Sequence, residues 1–201
     1  MISIIDYGMG NLGSIQNMFK KIGVPSVITS DKEMILNSEK LLLPGVGSFD
    51  RAISNLQDLD LIEVIQKKAN DECPMLGICL GMQLLANKSE EGTLPGLGLI
   101  PGEVKYFNLP SVFKVPHIGW NLVKYQSSPL FLNFDTFDET KFYFVHSYYF
   151  ECLNPSHTIG VTDFGGDFTS VIQKGNIYGA QFHPEKSHKF GMLMLKNFSE
   201  I

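Results

Sequence analysis

Apolar residues fall into short runs separated by longer stretches in which they recur at helical spacing. Ile2–Tyr7, Ser26–Thr29, Lys40–Leu43 and Met75–Cys79 read as strands, while Ser14–Ile22 and Leu59–Ala69 read as helices between them. That alternation predicts βαβ units and a parallel sheet, hence an α/β fold. Beyond about Pro95 the texture becomes turn-rich and aromatic. Val112–Val123 and Lys141–Phe150, with the turn Gly165-Gly166-Asp167 between two later runs, predict antiparallel or mixed strands added to the sheet. Phe190–Phe198 predicts a closing helix. No repeat, low-complexity tract or long linker interrupts the pattern, so residues 1–201 read as one domain.

One of the short runs ends in unusual chemistry. Gly77-Ile78-Cys79-Leu80-Gly81 follows Pro74-Met75-Leu76 and precedes Gly81–Ala86, which reads as the start of a helix. A strand turning sharply into a helix holds its apical side chain exposed and strained, and only small residues two before and two after leave room for the turn. Cys79 therefore sits at the apex of a nucleophile elbow. The helix N-terminus behind it favours a thiolate and a neighbouring oxyanion. Cys73 and Cys152 lack such a setting and read as structural thiols.

A nucleophile needs a base, and His183-Pro184-Glu185 supplies one. Pro184 biases His183 toward extended backbone, where residues two apart project to one side, so Glu185 can orient the imidazole. Cys79, His183 and Glu185 make a triad in which His183 takes the thiol proton and returns it to the leaving group. The turn Pro44-Gly45-Val46-Gly47 follows the strand ending at Leu43, and sites in open α/β sheets form where such strand ends converge. The N–H groups of Val46 and Leu80 are the expected oxyanion hole.

Composition narrows the class. The 201 residues are 44% apolar and 18% charged, enough to fill a large core. A net charge of −5 and the absence of a basic stripe argue against nucleic acid as a partner. The opening residues lack the features of a signal peptide, and no apolar run approaches the roughly 20 residues that span a bilayer. Three cysteines without framework spacing point to a reducing, cytoplasmic setting. The five histidines show no metal-ligand spacing, so no metal site is expected.

Pro44-Gly45-Val46-Gly47, Gly77-Ile78-Cys79-Leu80-Gly81-Met82-Gln83 and His183-Pro184-Glu185 together resemble the class I, or triad, glutamine amidotransferases. Asp6-Tyr7-Gly8-Met9-Gly10-Asn11-Leu12, Pro116-His117-Ile118-Gly119-Trp120-Asn121, Phe144-Val145-His146-Ser147-Tyr148-Tyr149 and Lys186 narrow the resemblance to the glutaminase subunits of imidazole glycerol phosphate synthases. It runs from Ile2 to the final helix. The resemblance implies a flavodoxin-like three-layer sandwich and no cofactor. It also implies glutamine as substrate, with ammonia passed to a TIM-barrel cyclase subunit in a heterodimer of histidine biosynthesis. Carried over by motif, Gly45, Gly47, Gln83, His146, Ser147 and Tyr148 would surround glutamine. Asn11, Trp120 and Lys186 would face the partner. The Gly45–Val46 peptide is expected to point its carbonyl inward at rest and to flip on activation.

Other readings stay open. Gly8-Met9-Gly10-Asn11-Leu12-Gly13, with Asp31 further on, spells a dinucleotide-binding fingerprint. A free-standing γ-glutamyl hydrolase would use the same triad. A paralogous glutaminase could feed another acceptor, such as one making amidino sugars.

Overall fold

The computed structural model describes residues 1–201. Its main sheet is built on four parallel strands, β1 (Ile2–Ile5), β2 (Ser26–Thr29), β3 (Lys40–Leu43) and β4 (Met75–Ile78), in the order β2-β1-β3-β4. The late strand β13 (Ile177–Ala180) adds in parallel beside β4, pairing Gly179 with Gly77 and Ala180 with Ile78. Antiparallel strands extend the sheet from there: β12 (Asp167–Lys174), β10 (Tyr148–Cys152) and β6 (Gly102–Tyr106) in turn, with the short β5 (Lys88–Ser89) at the edge. β11 (Thr158–Asp163) forms a hairpin with β12 across the Gly165-Gly166 turn and also pairs with the short β8 (Lys124–Tyr125).

Consecutive strand residues enter opposite cores, as the period of two requires. Ile5, Leu41, Leu43 and Met75 face a core closed by α2 (Lys32–Leu36), α3 (Phe49–Asp58) and α4 (Ile62–Asn70). Ile2, Ile4, Leu42, Leu76 and Ile78 face the other, closed by α1 (Leu12–Lys21) and α6 (His188–Glu200). This is the α/β sandwich that was expected. Helix α1 shows the local logic: Ile15, Met18 and Phe19 form its buried stripe, and the Asn11 side chain accepts from the Ser14 N–H at 3.3 Å to cap it.

Three local differences from the sequence reading have physical causes. Helix α3 was not foreseen, although Phe49, Ala52, Ile53 and Leu56 carry a helical spacing and are all fully buried. Helix α4 begins at Ile62 rather than Leu59, because Asp60 turns into the left-handed region at φ 50°. The strands β7 (His117–Leu122) and β9 (Lys141–His146) do not extend the main sheet but pair with each other as a separate antiparallel ribbon. Phe142, Phe144 and His146 point inward from that ribbon. Phe142 stacks on Phe182 at 3.8 Å and Phe144 meets Phe168 edge-on, so the ribbon roofs one core instead of lengthening an edge.

Candidate active site

Cys79 stands between β4 and α5 (Leu80–Leu84) with φ 54° and ψ −112°, a conformation that L-residues rarely adopt. The two glycines are sterically required. A Cβ on Gly77 would meet the Gly81 carbonyl oxygen at 2.6 Å and the Met82 Cα at 2.8 Å, and a Cβ on Gly81 would occupy the position of the Leu43 carbonyl oxygen. The Cys79 N–H donates to the Ala180 carbonyl at 2.7 Å, which ties the elbow to β13. Cys73 and Cys152 are free and lie outside the cavity.

His183 follows β13 in extended backbone, as its place before proline predicts. Glu185 lies instead in the short 3-10 turn Pro184–Lys186, so the two side chains meet across a turn rather than along an extended segment. His183 Nδ1 is 2.8 Å from Glu185 Oε1. The Ser187 hydroxyl donates to the His183 carbonyl at 2.6 Å and accepts from the Tyr143 N–H at 3.0 Å, while the His183 N–H donates to the Tyr143 carbonyl at 2.9 Å. These bonds latch the turn to β9. Burial alone would lower the imidazole pKa, yet Cys79 and Glu185 outweigh it and raise it well above the ordinary histidine value. His183 Nε2 is buried and makes no hydrogen bond of standard geometry.

Cys79 and His183 open into one cavity of about 270 Å³, the small end of ligand pockets. Val46, Gly47, Leu80, Gln83, His146, Ser147 and Tyr148 line it, so the structure gathers most of the expected site. Gly45 lies behind the lining. A Cβ there would meet Tyr7 Oη at 2.5 Å and Leu80 Cβ at 3.0 Å, while Tyr7 donates to the Pro44 carbonyl at 2.5 Å. Leu80 begins α5, where its N–H has no acceptor within the helix. Gln83 is partly committed, donating to the Tyr148 carbonyl at 3.1 Å and to Gln181 Oε1 at 3.0 Å.

Three residues of the site went unread in the sequence. Glu91 is the cavity's carboxylate; burial raises its pKa against the opposing hydrogen bond from the Phe49 N–H. Gln181, fully buried two residues before His183, donates to Cys79 Sγ at 3.8 Å. Tyr7 is held neutral by burial and by the Cys79 charge beside it. Gly10 stands beside the Pro44-Gly45 turn at φ 98°, where a Cβ would fit at 3.4 Å but an L-residue would be strained, so the glycine there serves the backbone turn.

The expected partner-facing residues lie outside the cavity and on the surface. Trp120 is 45% exposed, stacks on His188 at 5.4 Å and meets Tyr143 edge-on, and Lys186 lies 5.6 Å above the Tyr143 ring. Ile118 and Leu122 expose themselves on the same face of β7. Asn11 is exposed, with its side chain engaged as the α1 cap.

The chain belongs to the class-I glutamine amidotransferase family, whose model matches residues 3–201. It is 53% identical over 199 residues to "Imidazole glycerol phosphate synthase subunit HisH 2" of Methanococcus maripaludis, covering 98% of each chain. It is 46% identical over 206 residues to "Imidazole glycerol phosphate synthase subunit HisH" of Bdellovibrio bacteriovorus, covering 100% of each. The resemblance carried by the motifs thus holds along the whole chain. A solved glutamine amidotransferase structure superposes with a TM-score of 0.75 at 15% identity, covering 99% of this chain and 97% of that one, which supports the fold. No helix is long and apolar enough to cross a membrane.

Proposed function

We propose that this chain, acting as one domain in the cytoplasm, is the glutaminase subunit of an imidazole glycerol phosphate synthase. It would release ammonia from glutamine for a cyclase subunit in histidine biosynthesis. The observation that carries the reading is the strained Cys79 elbow opening into the same small cavity as a histidine paired with a buried carboxylate. The Cys79 thiolate attacks the side-chain amide carbon of glutamine, and the resulting oxyanion is held by the Val46 and Leu80 N–H groups. His183 gives its proton to the departing nitrogen, which leaves as ammonia, and a glutamyl thioester remains on Cys79. His183 then takes a proton from water as that water attacks the thioester, and glutamate leaves with the thiol restored.

Glu91 suits the substrate's α-ammonium. Gly47, Ser147 and Tyr148 border the region left for its carboxylate. The apolar face of Ile118, Trp120 and Leu122, flanked by Lys186, suits a partner subunit of TIM-barrel form that receives ammonia before water protonates it. With the Gly45–Val46 carbonyl turned inward at rest, hydrolysis would wait for that partner.

The test is glutamate release from glutamine by the chain alone, then with a cyclase subunit and its nucleotide substrate, with Cys79→Ala as blank. Strong stimulation by the partner supports the proposal. Equal activity without it indicates a free-standing hydrolase, and stimulation only by a different acceptor system indicates a paralogous pathway.

A further inference from the structure

Two histidines outside the triad face each other across the roof ribbon. His117 on β7 and His146 at the end of β9 are register partners, and both are buried. His146 Nδ1 lies 2.8 Å from the Tyr148 carbonyl oxygen. Its Nε2 lies 3.0 Å from His117 Nδ1, and His117 Nε2 lies 3.2 Å from Asn121 Nδ2. The Asn121 amide is itself oriented: its nitrogen donates to the Asp163 carbonyl at 2.8 Å, and its oxygen accepts from the Leu122 N–H at 2.8 Å.

These end groups leave a single arrangement of protons. A carbonyl only accepts, so His146 carries its hydrogen on Nδ1, and as a neutral ring it offers Nε2 as an acceptor. His117 must then donate from Nδ1 and accept from Asn121 at Nε2. Both rings are neutral Nδ1–H tautomers. The same Tyr148 carbonyl also accepts from Gln83 Nε2, which shares its other hydrogen with Gln181 Oε1. Gln181 is left with its nitrogen toward Cys79 Sγ. One connected chain of hydrogen bonds therefore links Asn121 on the ribbon to the sulfur, with the Tyr148 carbonyl accepting from both sides at its middle.

We propose that His117 and His146 are positioning residues for Cys79: as a neutral pair of fixed tautomer they hold the Tyr148 carbonyl where it orients Gln83 and, through Gln181, the sulfur. The inference rests on Cys79 being the nucleophile. A second proton on His146 would set hydrogen against hydrogen at the 3.0 Å contact with His117, and one on His117 would do so at the 3.2 Å contact with Asn121; either breaks the chain. The surroundings oppose that proton. Phe107, Phe144 and Phe168 pack around His146, and Phe144, Phe164 and Phe168 around His117. The titratable groups acting on His146 are His117 across the ribbon and His183 after β13. No carboxylate contributes to the shift of either ring.

The experiment pairs two substitutions with a spectrum. In the His117→Asn variant the Asn nitrogen stands where Nδ1 stood and still donates to His146; in His117→Leu that donor is gone. With the partner present, His117→Leu is expected to lower kcat about 10- to 100-fold with little change in KM. Iodoacetamide is expected to alkylate Cys79 more slowly by a similar factor, and His117→Asn to restore most of both. In the wild-type chain, 15N spectra at about pH 6, where an ordinary histidine is mostly protonated, are expected to show both rings as neutral Nδ1–H tautomers. A folded His117→Leu variant with unchanged kcat and unchanged Cys79 alkylation overturns the proposal. So does a His146 ring carrying its hydrogen on Nε2. The alkylation and the spectra need no glutamine, so they decide the matter even if the chain proves not to hydrolyse it.

Discussion

Gly81 lies so close to the carbonyl of Leu43 that a methyl group on its Cα would occupy the place of that oxygen. The obstacle is strand backbone, which cannot swing aside like a side-chain tip. Gly81→Ala is therefore expected to destabilise the fold by more than the ~1–3 kcal/mol typical of overpacking, or to push the elbow out of shape. A thermal melt checks this, with ~2–4 °C lost per kcal/mol in a chain of this size.

Glu185 holds His183 in place and favours its charged form. Removing the carboxylate charge in Glu185→Gln is expected to lower the His183 pKa, pushed up to about 10 in the native protein, and to lower kcat by roughly 10²–10⁴-fold with KM little changed. Because the folded value lies above the unfolded one, the stability His183 contributes is fully present below about pH 6.5 and is lost as the pH rises through about 10. The variant should show a smaller loss over that alkaline range in urea unfolding.

His117 and His146 act with the opposite sign. Burial depresses their folded pKa values to about 4 and about 3, so on acidification the unfolded chain takes up protons that the folded chain refuses. Stability is expected to fall from about pH 6.5 downward, each ring contributing up to ~1.4 kcal/mol per pH unit until its own folded value is reached. Urea titrations of wild type and His117→Asn should differ in slope by close to one proton near about pH 5, and by less toward about pH 4 and about pH 7.

Glu91 accepts from the Phe49 N–H at 3.0 Å, a role that a glutamine oxygen can also fill. Glu91→Gln should leave that bond and the fold intact while removing the charge offered to the substrate ammonium. The expected outcome is a KM for glutamine raised by about 10- to 100-fold with a much smaller change in kcat, measured by steady-state glutamate release.

Trp120 fills no core, so Trp120→Ala is expected to change the melting temperature little. If its face docks the partner, affinity should weaken by at least about 30-fold, the range of an interface hot spot. Calorimetric titration with the cyclase subunit measures this.

The legible part of the site was the part that local sterics write into adjacent letters. Gly77 and Gly81 flank Cys79 because no other residue fits, and Pro184 sits between base and carboxylate. Glu91, Gln181 and Tyr7 are single polar residues whose roles arise only when separate strands are laid side by side, and nothing beside them in sequence marks them. The fold's first half was legible because parallel strands alternate with helices. Its second half was less so: β9 and β10 are parted by Ser147 alone, yet they belong to different sheets. Helix α3 was written in the spacing Phe49, Ala52, Ile53, Leu56 and could have been read.

Strand β13 is the last strand made, yet it lies between β4 and β12 in the middle of the sheet. Cys79 and His183 are thus carried by neighbours in space whose synthesis is separated by half the chain. While a ribosome is still extending the polypeptide, the thiol has neither its base nor the Ala180 carbonyl that anchors its turn. The nascent protein carries an ordinary cysteine, and its reactivity arrives only with the closing insertion of the final strand, after the rest of the sheet has been made.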